Sequence, residues 1–410
     1  MAITISPNPA MQDLKVTFQE STLVFPPSKT EKKSLFLSNI DQILNYNVPT
    51  LSFFPANKDY PPEVVSERLR LALEKVLVPY DYMAGRLKLN EESGRLEIDC
   101  NAAGAGFVVA ASEFSLDEMG DLVTSFKCGG FAIGMSVNHI LLDGLSAKTF
   151  TENLASLAFE DKPMAVIPCL DRRLLAARSP PLVAFQHPEF YKPDLPISGP
   201  PVFDCKKEEL EFRVFKLSPT DINFLKDKAK PADQTNSTAT KISSFNVVAA
   251  LIWLCKALSC EREYNKDRIS TLLNVIDIRS RLNPPLPSSY CGNAVLVAYS
   301  SAKCEDIEKW PFSDLVKMVS EAPNRVSDEY ARSVIDWLEI KKGCLVENTW
   351  KDICWVFPTV DGVNALVSLP AQEMKRFESQ FHNLFACDSC IFNHTDPTAQ
   401  ISKTIMVTGS

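Results

Sequence analysis

Residues 131–150 read FAIGMSVNHILLDGLSAKTF, and the fold turns on where this stretch changes from strand to helix. It continues an apolar run that begins at Thr124, TSFKCGGFAIGMSVN, with Gly129, Gly130 and Gly134 inside it. Glycines within a strand mark a bulge or a close approach by another backbone or a ligand. The strand pattern stops at HILLDG, and Leu145 to Leu157 then has helical periodicity. His139 and Asp143 therefore belong to a loop between a buried strand and a helix. Imidazole is the side chain best suited to exchanging a proton near neutral pH, so a histidine here is a candidate general base. A plainer reading uses the same residues: a histidine hydrogen-bonded to backbone at a strand end, and an aspartate capping the helix.

Working outward, residues 14–25 alternate polar and apolar and predict a strand, with Leu14, Val16 and Phe18 on one face. Pro61 to Val78 predicts an amphipathic helix whose apolar stripe is Val64, Leu69, Leu71, Leu73, Val76 and Leu77. PYDYMAGRLKLN and GRLEIDC predict strand, turn and strand around Gly94, and a short acidic helix is expected over Ser115 to Asp121. Asp194 to Phe203 is rich in Pro, Ser and Gly and marks an interdomain linker. Beyond it a strand (Leu210 to Leu217), a helix (Ser218 to Lys228) and a polar loop (Pro231 to Thr240) are expected. They lead to SSFNVVAALIWLCKAL (243–258), a helix apolar on nearly all sides and so expected to be buried. Two more strands follow, TLLNVIDIR and AVLVAYS, joined by the Pro-rich RLNPPLPSSYCGN.

A chain of 410 residues exceeds one ordinary core. The expected organisation is mixed α/β in two domains, residues 1–193 and 210–385, with a linker at 194–209 and a disordered tail at 386–410. The HILLDG loop then lies beside a crevice between domains, a common place for small-molecule sites, which favours the catalytic reading.

Composition excludes several classes. With 45% apolar and 23% charged residues the chain reads as globular, and a net charge of −8 without a basic block argues against nucleic acid or anionic membranes. Twelve scattered cysteines and an N-terminus without a charged-then-apolar pattern point to a reduced, cytoplasmic protein. Its longest apolar stretch, Val247 to Cys255, is too short to span a membrane. G-x-S-x-G, G-x-G-x-x-G and P-loop patterns are absent, and Ser146 in GLSAK lacks the second glycine of a nucleophile elbow. His382, Cys387, Cys390 and His394 are zinc-type ligands, but their spacing is irregular and no metal is expected.

Several stretches, taken in order, resemble one family. They are LFLSNIDQ (35–42), PYDYMAGRL (79–87), the 131–150 segment with its HxxxDG, SSFNVVAALIWLCKAL (243–258), VIDIRSRLNPPLPSSYCGNAV (275–295), DEYARSVIDWLE (328–339) and ALVSLPAQEMKRFES (365–379). Together, from about Val16 to Phe381, they resemble the plant BAHD acyltransferases.

The resemblance implies a two-domain chloramphenicol acetyltransferase-like fold with a substrate channel between the domains. It also implies a monomer that moves an acyl group from acyl-CoA, a co-substrate, to an alcohol or amine, with no metal or redox cofactor. His139 would be the general base of a direct ternary-complex reaction. Asp143 would pair with Arg279 and support the catalytic loop, Gly144 would allow the tight turn, and Thr349 or Trp350 would stand near the oxyanion. The flanking sequence is most similar to the hydroxycinnamoyl-transferring branch, including members that acylate long-chain alcohols or ω-hydroxy acids. Lys341 to Trp350 contains no arginine to grip an acceptor carboxylate, which leans toward an apolar acceptor.

Two departures stand out. DEMGDLV (117–123) runs straight into TSFKCGG, and TWKDICW (349–355) runs straight into VFPTVDG where the family carries DFGWG. Some members of the family that this chain resembles keep the fold, lose DFGWG and work by modifying a fatty-acid elongation complex, so a catalytically idle partner protein is the alternative function.

Overall fold

The computed structural model describes residues 3–4, 16–112, 130–159, 162–190, 210–230, 242–259, 268–341, 354–359 and 361–386. The expected helix at 115–121, the linker at 194–209, the loop at 231–240 and the tail after Ala386 lie outside these residues.

The first half is built from short antiparallel pairs. After the two-residue β1 (Ile3–Thr4), β2 (Val16–Val24) runs to β3 (Ser34–Phe36), and one turn of helix, α1 (Asn39–Gln42), follows. Ser38 caps α1 through a capping box with Asp41. Next come β4 (Asn47–Phe54), α2 (Pro62–Val76), β5 (Arg86–Asn90), β6 (Arg95–Asp99), β7 (Ala105–Ser112), β8 (Phe131–Asn138) and α3 (Gly144–Phe159). Three sheets result, with β2 on β7, β4 on β8, and β6 between β3 and β5. The β5–β6 turn follows its sequence: Asn90 Oδ1 accepts the N–H groups of Glu92 and Ser93, and Gly94 takes φ +65°.

In β2 Val16 and Phe18 keep one face, pairing in register with Ser112 and Ala110; the register shifts only after Phe18, which is 74% exposed, and Leu14 lies outside the described residues. One sequence expectation is corrected. In α2 the inward face is Val65, Ala72 and Val76, flanked by the half-buried Leu69 and Leu73. Val64 and Leu71 sit about 100° round the helix from that face and are 39% and 41% exposed.

The second half starts with β9 (Leu210–Leu217), α4 (Pro219–Lys228, capped by Ser218) and α5 (Ser244–Ser259). It continues through β10 (Ile269–Asp277), β11 (Val295–Lys303), α6 (Cys304–Lys309), α7 (Phe312–Glu321), α8 (Asp328–Ile340), β12 (Cys354–Thr359), β13 (Gly362–Pro370) and α9 (Ala371–Ala386). An antiparallel sheet in the order β1-β9-β13-β12 forms one layer, and β10 pairs with β11 in another. Helix α5 buries Val247 through Trp253 without a break because it packs on every side, touching α4, α6, α7 and α9. Its Trp253 indole donates to Ser270 Oγ at 3.0 Å, so the one polar atom of that side chain is satisfied.

Three larger apolar clusters fill the molecule. One uses residues between Phe215 and Phe381, centred on α5. A second gathers Leu37, Tyr80, Tyr82, Ile98, Ile140 and Phe150 with Cys291. The third joins Ile40 and Leu175 to residues 278–338. The last two meet at α1 and the 290–294 turn, and the HILLDG loop lies there.

Candidate active site

β4 sets the position of His139. Asn47 pairs with Asn138 at the end of the β4–β8 ladder, and the His139 N–H continues it by donating to Tyr46 O at 2.7 Å. The Tyr46 ring lies 5.2 Å from the imidazole, which is half-buried. Beyond the strand the backbone turns sharply, with Leu141 N–H bonding Asn138 O and the Asn138 side chain accepting from Ile140 N–H. Ile140 and Leu142 plug into the core below, and Arg172 donates to the carbonyls of Ile140 (2.8 Å) and Leu141 (2.5 Å).

Asp143 faces away from the histidine's partners. Its Oδ1 caps α3 by accepting from Ser146 N–H at 2.9 Å, and Oδ2 accepts from Ala294 N–H at 3.0 Å. Arg279 grips both oxygens, with Nη1 2.9 Å from Oδ2 and Nη2 3.0 Å from Oδ1. The same guanidinium reaches Asp277, Ser146 Oγ and Gly292 O. Burial by itself would raise the Asp143 carboxyl, but Arg279, helped by the Ala294 and Ser146 N–H groups, holds it below the usual carboxylate range. The aspartate is therefore committed to an ion pair that ties the loop to the 277–294 segment. Gly144 opens α3 directly after it.

The histidine ring is held by Asn293, whose Oδ1 lies 3.1 Å from His139 Nδ1. Asn293 Nδ2 donates to His139 O and to Asp41 Oδ1, each at 2.8 Å, and Asn293 N–H also meets Asp41 Oδ1 at 3.1 Å. Asp41 is buried and ion-paired with the equally buried Arg172 at 3.1 Å.

The structure thus brings His139, Asp143, Gly144 and Arg279 into one loop assembly, while Thr349 and Trp350 lie outside the described residues. Asn293, Asp41 and Arg172 are the members that sequence reading missed. The first two fall inside GNA and LSNID, stretches that carried the family resemblance without a stated role, and Arg172 had no signal at all. Ser146 is no free nucleophile, since its hydroxyl is buried and shared between Gly292 and Arg279. Among the described residues no three His, Cys, Asp or Glu side chains gather to hold a metal ion.

A family model described as "Transferase family" matches residues 14–123 and 122–353, most of the chain. The chain is 46% identical to the acyltransferase GLAUCE of Arabidopsis thaliana, over 92% of this chain and 98% of that protein. It belongs to the BAHD acyltransferases.

BAHD relatives include the ω-hydroxypalmitate O-feruloyl transferase of Arabidopsis thaliana, 29% identical over 90% of this chain and 93% of that one. Among solved structures, vinorine synthase superposes with a TM-score of 0.68 at 21% identity, covering 90% of this chain and 98% of its own. TRI101 of F. sporotrichioides, solved with coenzyme A and T-2, gives 0.61 at 13% identity, covering 83% and 96%. At these identities the likeness shows the fold, which is the chloramphenicol acetyltransferase-like one of BAHD enzymes, and the family makes the chain an enzyme that transfers acyl groups. The first of the two interruptions seen in the sequence also appears here. The family match breaks at 122–123, where the first departure lies. The GLAUCE alignment is 446 positions long, more than this chain's 410 residues, so that relative has segments without a counterpart here.

Proposed function

We propose that this protein transfers an acyl group from acyl-CoA to an alcohol, with His139 as general base. The observation that carries the reading is the hold on the ring: Asn293 occupies Nδ1, while Asp143, the other half of HxxxD, is engaged by Arg279 and free of the histidine. In the reaction Nε2 takes the proton of the acceptor hydroxyl as its oxygen attacks the thioester carbonyl. The tetrahedral oxyanion collapses, the C–S bond breaks, and the imidazolium returns the proton to the departing CoA thiolate. Both substrates are held together, so proximity replaces an acyl-enzyme. Thr349 or Trp350 would serve the oxyanion in this scheme.

A CoA donor is supported by the TRI101 complex with coenzyme A and by the acyltransferase relatives. For the acyl group we favour a hydroxycinnamoyl or related chain, and for the acceptor an apolar alcohol. The feruloyl transferase for ω-hydroxypalmitate among the relatives supports both choices, as does the arginine-free 341–350 segment. The protein works in this reading as a cytoplasmic monomer without metal or organic cofactor. Among the described residues no helix is long and apolar enough to cross a membrane.

A second reading is favoured by the skipped segments: a catalytically idle member that assists an acyl-lipid complex such as fatty-acid elongation. Free CoA release, measured with a panel of hydroxycinnamoyl- and fatty acyl-CoAs against long-chain alcohols and ω-hydroxy acids, separates the two. Acceptor-dependent release is expected for the enzyme, and release no faster than acceptor-free hydrolysis of each thioester would leave the partner role.

A further inference from the structure

Asp41, Arg172 and Asn293 come from three distant parts of the chain, and all are buried beside a histidine that is not. Counting donors settles how the Asn293 amide is oriented. Its Nδ2 has two hydrogens and faces two atoms that can only accept, Asp41 Oδ1 and His139 O. Turned over, the amide would set its oxygen against a carboxylate and a carbonyl at 2.8 Å, two repulsive contacts in a buried site. Oδ1 is therefore the atom facing the ring, and an amide oxygen accepts. Nδ1 must carry the ring proton, which leaves the lone pair on Nε2.

Asp41 is in turn over-determined. Besides Asn293 and Arg172 it takes the Ser38 N–H and Ser38 Oγ, both at 2.8 Å on Oδ2. Arg172 lies over the Tyr82 ring with its guanidinium between Asp41 and the two carbonyls that follow the histidine.

We propose that Asp41 and Arg172 are positioning residues for His139 that act through Asn293. Asp41 fixes the amide so that it dictates the ring tautomer, and its charge favours the imidazolium that forms during transfer. Arg172 balances Asp41 and fastens the loop so that the ring and the amide stay in register. This rests on His139 being the base.

The other titratable groups around the relay stay in one form near neutral pH. Burial raises Tyr82, Tyr290 and the Cys291 thiol, which keeps them neutral, and the Asp143–Arg279 pair stays charged. Among the described residues the Tyr46 ring also packs against the imidazole. A change in the acid limb of the rate profile on altering Asp41 is then read through His139.

The test uses full-length protein labelled with 15N-histidine. The chain has four histidines, and His139 is assigned by the signal lost in His139→Gln. Wild-type protein is expected to show the Nδ1–H tautomer, and Asn293→Ala to shift it toward Nε2–H with kcat lowered about tenfold or more. In Asp41→Asn the acid limb of kcat/KM is expected to move to lower pH by roughly half a unit or more, with KM for both substrates within about twofold. If that variant does not fold because Arg172 is left unpaired, the double variant Asp41→Asn, Arg172→Gln removes both charges and should shift the limb in the same direction. A wild-type Nε2–H tautomer, or a folded Asp41 variant with an unmoved pH profile, would overturn the relay. Because the tautomer is read without turnover, activity surviving in His139→Gln would remove the base reading alone.

Discussion

His139 owes its place to backbone. Its N–H is the last rung of the β4–β8 ladder, its carbonyl is tied to Asn293, and among the described residues only Nδ1 is used in holding the ring. Asp143 and Arg279 do the complementary work of anchoring the loop end, and their buried pair makes a pH prediction. A carboxyl held below its ordinary range stabilises the fold above its unfolded value, about 3.9, and that contribution is lost as pH falls through the lower folded value. Asp143→Asn should cost about 3 kcal/mol near neutrality, because it leaves the buried Arg279 short of a charged partner. In urea unfolding followed by circular dichroism, the gap between wild type and variant should close below about pH 4. A gap that stayed constant from pH 7 to pH 3 would mean that the ion pair is not what ties the loop.

At the scale of elements, the turn between β12 and β13 carries a sharp requirement. Gly362 has φ +134°, and a Cβ there would lie 2.0 Å from Leu217 O in the neighbouring strand. Gly362→Ala should cost about 2 kcal/mol or more, since strain and clash act together. A stability within about 0.5 kcal/mol of wild type would show that the hairpin pairs in another register.

Most helices and strands were legible because their periodicity is local. The strand at 210–217 and the buried helix at 243–258 stand almost where the pattern put them. Faces were harder. Val64 and Leu71 looked like core in a helix rich in apolar residues. Pairing was not legible at all: that β4 lies on β8 depends on contacts between segments 77 to 91 positions apart, which no local pattern records. The site divides the same way. His139, Asp143 and Arg279 came from motifs, whereas Arg172 reaches the loop only through tertiary packing.

For the whole molecule the question is whether a chain that skips segments its relatives carry still works as a BAHD enzyme. The two clusters that support the HILLDG loop draw on residues 37–175 and 278–338, away from the 349–357 stretch. The loop assembly stands within the described residues, so proton transfer is expected to survive and the loss of those segments to bear on donor binding. The direct test is single-turnover release of CoA by purified protein with saturating acyl-CoA and alcohol, beside His139→Ala. Acceptor-dependent release is expected in wild type, with a loss of about a hundredfold or more in the variant and both proteins equally folded. Equal release from the two, or none from a wild-type protein that unfolds cooperatively, would show that His139 is not the base of a working acyltransferase.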